Sequence, residues 1–418
     1  MTWEKAFRYG LNRWFRFAKL QVTGCAVDPE RIAPSSTHPV FVRCDATLAS
    51  YFLLALLTFS YGIIGPLMPS LRAGLGLTFA QGSWHSVALA FGMSAVGAVG
   101  DRLALRFGRR RILVAALLGL MAGLVLICGA LHLAMSLGGA FLIGCFGALV
   151  MVTAPTILAE RHGDQVGIAF GEANVIAYLG IFIVPGIVSL ADMTIGERWS
   201  FLPIVLCFLV FWIVFRTTRF GEPAPRVHGT VLAPLGLAYW CFWILLMLSV
   251  SGEICLLVWS ASYFENQTRL TREAALFYSM IFPAGMIVGR IVGALLLRRV
   301  SAAVITMPAL ALAMSGFVLF MLTASVPVIM SGLFLTGLGM ANLYPAGITL
   351  AVNAVKGAPD NAMAKISLAS GLAMISAPLL VGDAADRFGI GVAFWIIPLY
   401  LAIAALVSAI GLHAIRRG

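Results

Sequence analysis

The chain has 418 residues, of which 61% are hydrophobic and 11% are charged, and its mean hydropathy is +0.98. Soluble domains are about 45–50% apolar and about 25% charged, so this composition excludes a soluble protein. The net charge of +11 would suggest a nucleic-acid partner in a soluble chain. In a membrane protein the same charge reflects topology, and we predict no nucleic-acid partner.

Residues 1–47 carry apolar and aromatic side chains at helical spacing, with basic side chains between them. That pattern is typical of a short amphipathic helix on an anionic cytoplasmic membrane surface, but a basic tail without structure fits it equally well. The proline- and serine-containing stretch 24–44 resembles a linker. We therefore predict a cytoplasmic N-terminal segment over 1–47.

Twelve apolar runs follow, each close to the ~20 residues that a helix needs to cross a bilayer. They lie at 48–71, 80–100, 112–132, 135–159, 167–190, 199–216, 232–262, 272–297, 302–323, 327–352, 363–384 and 391–415. The predicted fold is an all-α membrane protein with twelve transmembrane helices in two pseudo-symmetric six-helix bundles. The bundles cover 48–216 and 232–418, and 217–231 forms a central cytoplasmic loop.

A basic loop between the second and third runs fixes the predicted orientation. Six charged residues fall within positions 101–111. If this loop is cytoplasmic, 22 Lys and Arg residues lie in cytoplasmic segments and five in outer loops. Short cytoplasmic loops are enriched in Lys and Arg, so the split predicts a multi-pass plasma- or inner-membrane protein with both termini cytoplasmic.

The two halves of the chain repeat each other weakly. The stretch 97–106 matches 289–298, and 185–201 resembles 378–394. Parallel repeats are typical of carriers in which one half rocks against the other around a site near the middle of the membrane.

The basic loop resembles the G-x-x-x-D-R-x-G-R-R loop of the major facilitator superfamily, and the resemblance extends over about residues 48–415. The matching positions are Arg106, Gly108, Arg109 and Arg110. Leu105 stands where the family has Asp, and Asp101 lies four residues earlier, on the same helix face. In the family the Asp locks the outward-facing state, so the resemblance implies gating roles for Asp101, Arg106 and Arg109.

Two branches of the family share features with this chain. Gly252-Glu253 followed by Trp259 is similar to the fucose-permease branch, whereas Trp84 and the stretch 289–291 resemble the oxalate/monocarboxylate branch. The resemblance implies an alternating-access secondary active transporter of a small organic solute, either a sugar or an organic anion. It also implies that helices 1, 4, 7 and 10 line the cavity.

Glu253 lies well inside the seventh apolar run. Charges within a bilayer are rare and costly, so each one is a functional candidate. A carboxyl group in apolar surroundings loses the hydration that favours its charged form, and it can exchange a proton near neutral pH. We predict proton coupling through Glu253. The alternative is a protonated structural carboxyl that is bonded to a neighbouring helix.

Glu172 and Arg290 lie one to two turns from the cytoplasmic ends of helices 5 and 8. These two helices face each other across the halves in the family, so the resemblance implies a Glu172–Arg290 ion pair that closes the cytoplasmic side when the carrier faces outward. Arg290 could instead bind an anionic substrate, or the two charges could reach the membrane surface independently.

The predicted substrate site is mostly apolar with a few placed polar groups. The predicted substrate-binding residues are Tyr61, Asn174, Tyr178, Trp259, Asn342 and Tyr344. Each of them could instead be a packing residue. Helix 4 adds only Thr153 and Thr156, and such an apolar wall favours the alternative function, a proton-driven exporter of amphipathic compounds or drugs.

Other classes of function find no support in the sequence. There is no HExxH, GxSxG or nucleotide-binding loop, so we predict that the protein is not an enzyme. The seven cysteines show neither a CxxC pair nor metal-ligand spacing, so we predict no metal and no cofactor. The expected partners are a small-molecule substrate, protons and membrane lipid, and the expected state is a monomer.

Overall fold

The computed structural model describes residues 41–97, 99–196, 199–221, 235–268, 270–297, 299–322, 325–355 and 359–417. Within these ranges the chain is helical and contains no strand. Most of the predicted N-terminal segment 1–47 and of the predicted central loop 217–231 lies outside the described residues, so both boundaries stay predictions.

Six helices form the N-terminal bundle. They are α1 (Asp45–Gly62 and Ile64–Leu75), α2 (Phe79–Gly97), α3 (Arg109–Cys128), α4 (Leu133–His162), α5 (Val166–Thr194) and α6 (Phe201–Phe215). A short helix, Gly100–Phe107, occupies the basic loop between α2 and α3. We call the membrane face that carries this loop the basic face and the other one the opposite face.

Six further helices form the C-terminal bundle. They are α7 (Leu237–Gln267), α8 (Arg272–Ser279 and Ile281–Leu296), α9 (Ala302–Met321), α10 (Val326–Met340 and Leu343–Asn353), α11 (Pro359–Phe388) and α12 (Ile390–Ala393 and Ile396–Arg417). Ten spans in the described residues are long and apolar enough to cross a membrane, and Phe201–Phe215 is a shorter apolar helix. With Phe79–Gly97 they make twelve.

Prolines explain the four broken helices. The breaks in α1, α8, α10 and α12 each come three or four residues before Pro66, Pro283, Pro345 and Pro398 respectively. A proline has no N–H and its ring collides with the carbonyl group four residues earlier, so the helix is interrupted there.

Equivalent glycines hold together equivalent helices in the two halves. A methyl group on Gly92 of α2 would lie 2.3 Å from the carbonyl oxygen of Phe141 in α4. In the second half, a methyl group on Gly285 of α8 would lie 2.2 Å from the carbonyl oxygen of Phe334 in α10. Backbones approach this closely only where glycine removes the side chain, so the same contact recurs in both bundles.

The two halves pack against each other toward the opposite face. There α11 packs along α2, the second segment of α1 packs on α7, and α5 packs on α8. The Asp386 carboxylate accepts hydrogen bonds from the backbone N–H groups of Phe79 (2.6 Å) and Ala80 (2.8 Å), in the first turn of α2. We call these contacts the opposite-face closure. The described conformation is therefore closed at that face.

Candidate functional site

A tyrosine joins two charged residues at mid-depth between the halves. The Tyr178 hydroxyl of α5 donates a short hydrogen bond to the Glu253 carboxylate of α7. The same hydroxyl oxygen accepts a hydrogen bond from Nη2 of Arg290 in α8 at 2.6 Å. The Arg290 guanidinium carbon also lies 3.9 Å from the centre of the Tyr178 ring. One residue of the first half thus bridges two opposite charges of the second, and we call these three residues the central cluster.

Tyr61 of α1 lies beside the central cluster. Its hydroxyl group interacts electrostatically with both Glu253 and Arg290. Four helices from the two halves therefore contribute side chains to one polar region in an apolar bundle. The predicted residues Tyr61, Tyr178, Glu253 and Arg290 are brought together, although nothing in their sequence spacing links them.

One hydrogen-bond donor of Arg290 is not used within the described residues. Its Nε atom is buried and has no hydrogen-bond partner there. A buried donor without a partner costs about 1–3 kcal/mol, so such a group is a natural point of contact for a solute oxygen. The central cluster can therefore bind an additional acceptor without breaking a hydrogen bond that it already has.

Glycine packing sets the orientation of α8. A methyl group on Gly289 would lie 2.5 Å from the Leu338 carbonyl oxygen of α10, so the glycine side of α8 is pressed against α10. Asn342 of α10 reinforces this contact, because its Nδ2 donates to the Gly289 carbonyl oxygen at 2.9 Å. The neighbouring residue Arg290 then extends toward α5. Asn342, a predicted substrate-binding residue, thus acts here as a clamp between helices.

The other predicted substrate-binding residues lie away from the central cluster. Trp259 is fully buried at the opposite-face closure, with its ring centre 5.4 Å from that of Phe79. Asn174 is exposed and donates to the Phe170 carbonyl oxygen within α5. Tyr344 is half-buried, and its hydroxyl oxygen lies 3.4 Å from that of Ser370. Substrate contacts by these three side chains stay predictions.

The predicted Glu172–Arg290 pair is not formed in the structure. Glu172 pairs instead with Arg43, whose Nε lies 2.8 Å from Oε2, and it accepts a hydrogen bond from the Tyr51 hydroxyl at 3.1 Å. In this conformation Glu172 lies about 9 Å closer to the basic face than Tyr178, the partner of Arg290, because it precedes Tyr178 by six residues. The described conformation is closed at the opposite face, so a gate that forms when the carrier faces outward stays a prediction.

The basic loop residues join helices within the first half. Arg109 is buried, with 4% of its surface exposed, and it binds the Glu160 carboxylate of α4 at 2.7 and 2.5 Å. Arg106 is exposed and lies over the Phe107 ring at 5.4 Å. The side chain of Asp101 lies outside the described residues. Gating by Asp101, Arg106 and Arg109 therefore stays a prediction.

Sequence reasoning predicted Asp386 as a cap on the outer side, but it missed that the capped helix belongs to the other half. Asp386 caps α2 across the boundary between the halves. Arg72 of α1 lies over the Phe79 ring, with its guanidinium carbon 3.2 Å from the ring centre. The sequence does not indicate the partner of an acidic residue near a helix end, so only the tertiary structure shows that Asp386 binds a residue 307 positions away.

Twelve helices in two similar halves around a polar central cluster define a membrane transporter. A family profile described as Major Facilitator Superfamily matches residues 50–357. The chain belongs to this family, as the loop residues predicted.

The comparisons with individual proteins agree with this membership. The chain is similar to a Bos taurus protein, solute carrier family 2, facilitated glucose transporter member 8, with 29% identity over 166 residues. That match covers 36% of this chain and 34% of the relative. This chain therefore spans about a third of the length of the relative.

Two solved structures share the fold. One is a bacterial homologue of the human lysosomal transporter Spinster in an inward-facing and occupied conformation, with a TM-score of 0.73 and 15% identity over 87% of this chain and 96% of that one. The other is a D-xylose–proton symporter, with a TM-score of 0.69 and 17% identity over 88% and 96%. At these identities the likeness shows the fold alone, and it confirms the predicted twelve-helix architecture.

Proposed function

We propose that this protein is an alternating-access secondary active transporter of a small organic solute, coupled to protons through Glu253. The observation that carries the proposal is the bridge by Tyr178 of one half between Glu253 and Arg290 of the other. A polar contact at the boundary between two moving halves can respond to ligand and proton while it controls their relative position.

The proposed coupling follows from the charges of the central cluster. When Glu253 is ionised, its carboxylate holds the Tyr178 hydroxyl, and Tyr178 in turn holds Arg290. Protonation of Glu253 removes the negative charge, so the charge-assisted hydrogen bond weakens to roughly half its strength. Arg290 then loses part of its electrostatic stabilisation, and the oxygen atoms of a solute, whether a carboxylate or hydroxyl groups, can accept hydrogen bonds from its guanidinium group. Proton and solute therefore bind cooperatively and cross together.

Two solute classes fit this site. An organic anion would place its carboxylate on Arg290, whose guanidinium favours two parallel hydrogen bonds with such a group. A sugar would use the buried Nε donor of Arg290 and the hydroxyl groups of Tyr61 and Tyr178. Similarity to a glucose transporter, over about a third of that protein's length, supports the second class.

The alternative function is a proton-driven exporter of amphipathic compounds. Helix α4 favours it, because this wall offers only Thr153 and Thr156 as polar groups near mid-depth. The Thr156 hydroxyl donates to the Val152 carbonyl oxygen within the same helix. An exporter would bind its substrate mainly through apolar contacts, so its affinity would depend little on Glu253.

The same proposal fixes the orientation. Short basic loops remain on the cytoplasmic side, so we assign the basic face and both termini to the cytoplasm, and the protein to a plasma or inner membrane. The opposite-face closure then makes the described conformation inward-facing. A single chain contains the complete central cluster, and we propose that the monomer is the transporting unit.

Thermal stabilisation of the purified protein tests the proposal. The probes are D-glucose, D-xylose, lactate, succinate and tetraphenylphosphonium, each measured at two pH values. A ligand of the folded state raises the melting temperature by mass action. The variants are Glu253→Gln and, as a matched control, Glu265→Gln, which removes a carboxylate from the opposite-face end of the same helix.

We expect a sugar or a carboxylate to stabilise the wild type and the Glu265→Gln control in a pH-dependent manner. In Glu253→Gln the effect should be weaker or independent of pH. Stabilisation by tetraphenylphosphonium alone, equal in all three proteins, would favour the exporter and reduce Glu253 to a structural carboxyl.

A further inference from the structure

A second concave site lies on the basic face, away from the central cluster. It is a cavity of about 400 Å³ at the ends of α3 and α6. Its lining residues are Arg110, Arg216, Thr217, Thr218, Arg219, Phe220 and Gly221. We call it the arginine cavity. It plays no part in the transport mechanism proposed above.

Hydrogen bonds from arginines shape the wall of the arginine cavity. Arg110 donates to the Arg216 carbonyl oxygen at 2.8 Å, and Arg109 donates to the Phe220 carbonyl oxygen at 3.1 Å. Together they hold the segment 216–221 against the start of α3. The cavity is therefore a built feature of the fold and does not depend on the conformation of a free loop.

Within the described residues, no carboxylate pairs with the arginines that line this cavity. The nearby carboxylate of Glu160 is already bound by Arg109. Among the described residues, Arg110, Arg216 and Arg219 form no ion pair. Three arginines line one concavity, so its electrostatic potential favours a negatively charged ligand.

The position of the cavity favours an anion that is part of a lipid. Helix α6 leads directly into it and exposes large apolar side chains along its length, among them Leu206 (61% exposed) and Ile213 (64% exposed). Trp212, one turn before the cavity, is 40% exposed, where aromatic rings are enriched at the membrane surface. Acyl chains can lie along α6 while the headgroup reaches the arginines.

We propose that the arginine cavity binds the phosphate-bearing headgroup of an anionic phospholipid. The guanidinium groups of Arg110, Arg216 and Arg219 would bind the phosphate oxygens, and the Thr217 hydroxyl would donate to the same group. Basic pockets at helix ends on one membrane face suit such headgroups, whereas a free solute would gain nothing from the apolar surface of α6.

Lipid binding to the full-length protein in detergent tests this site, by native mass spectrometry. The probes are dioleoylphosphatidylglycerol, dioleoylphosphatidylcholine and inorganic phosphate. The cavity variant carries Arg110→Gln, Arg216→Gln and Arg219→Gln. A matched control variant carries Arg102→Gln, Arg111→Gln and Arg299→Gln, three exposed arginines outside the cavity. Both variants lose the same charge from the same membrane face.

We expect the wild type to bind phosphatidylglycerol in preference to phosphatidylcholine, and the cavity variant to bind it at least roughly tenfold more weakly. The control variant should keep the wild-type affinity. Equal losses in both variants, equal binding of the two lipids, or full displacement by inorganic phosphate would each overturn the proposal. If the cavity variant fails to fold, Arg219→Gln is compared with the single control Arg299→Gln in the same way.

Discussion

The Tyr178 hydroxyl oxygen lies 2.6 Å from Nη2 of Arg290, and the guanidinium group of Arg290 is stacked on the same tyrosine ring. Two kinds of contact thus hold an arginine of the second half on a tyrosine of the first. Because Tyr178 also donates to Glu253, a change of charge on the carboxyl group reaches Arg290 through one hydroxyl. The proposed coupling depends on this link.

Removal of the hydroxyl in Tyr178→Phe tests the link. Hydrogen bonds to charged groups contribute about 1.5–3 kcal/mol, so solute affinity should fall by roughly tenfold or more. The measurement is the concentration dependence of thermal stabilisation by the effective compound in the panel. Tyr278→Phe, on the opposite-face part of α8, is the control and should behave like the wild type. If Tyr178→Phe binds the solute as tightly as the wild type does, the Tyr178 hydroxyl plays no part in solute binding.

A second prediction concerns Asp386. Its carboxylate accepts two backbone hydrogen bonds at the start of α2, where a negative charge is favoured by the helix dipole. Asp386→Asn keeps an acceptor but loses the charge, so it should weaken the opposite-face closure by about 0.3–1 kcal/mol, and the first turn of α2 should exchange its amide hydrogens faster. Hydrogen–deuterium exchange with mass spectrometry measures this.

Asp383→Asn is the matched control for Asp386, because Asp383 lies on the same helix and pairs only locally with Arg387 at 3.1 Å. This variant should leave exchange in α2 unchanged. If both variants accelerate exchange equally, loss of negative charge in general, and not the cap on α2, explains the effect.

Close packing between the halves gives a third prediction. A methyl group on Gly65 of α1 would lie 2.2 Å from the Leu257 carbonyl oxygen of α7. Gly65→Ala should therefore prevent full approach of these two helices and destabilise the described conformation. Gly138→Ala, where a methyl group meets nothing within 4 Å, should be neutral or stabilise α4 slightly. Melting temperatures that fall equally in both variants would contradict this account.

The Glu172–Arg43 pair is expected to contribute little. Their side chains are 29% and 48% exposed, and solvent-exposed ion pairs contribute about 0–1 kcal/mol. Glu172→Gln should lower the free energy of unfolding by less than about 1 kcal/mol and leave solute affinity unchanged.

The double variant Glu172→Arg with Arg290→Glu should not restore any transport lost in the single variants, because the two side chains belong to separate clusters in the described conformation. If the double reversal rescued transport, the result would support the predicted Glu172–Arg290 gate.

Much of the architecture could be predicted from the sequence, because a long apolar run in a membrane protein has few alternatives to a helix. The central residues Glu253 and Arg290 could be singled out for the same reason, since a charge in an apolar run is conspicuous. That Tyr178 joins them could not be predicted, because tyrosines are common in such helices and sequence periodicity does not set the distance between helices.

The partner of Glu172 was missed for a different reason. Arg43 lies in the stretch that the sequence presents as a linker, and a linker residue offers no helical register from which a contact can be inferred. Trp259 illustrates a different limit of sequence reasoning. Its place in α7 was predicted, but whether a large ring lines a cavity or fills a closure depends on how the halves meet.

Proton movement in reconstituted liposomes tests the central claim most directly. The solute is the panel compound that stabilises the protein, and a pH-sensitive dye inside the vesicles reports protons. The account predicts that the wild type moves protons together with the solute, whereas Glu253→Gln still exchanges solute but moves no protons. Proton movement that persists in Glu253→Gln, or solute transport by the wild type without protons, would contradict it.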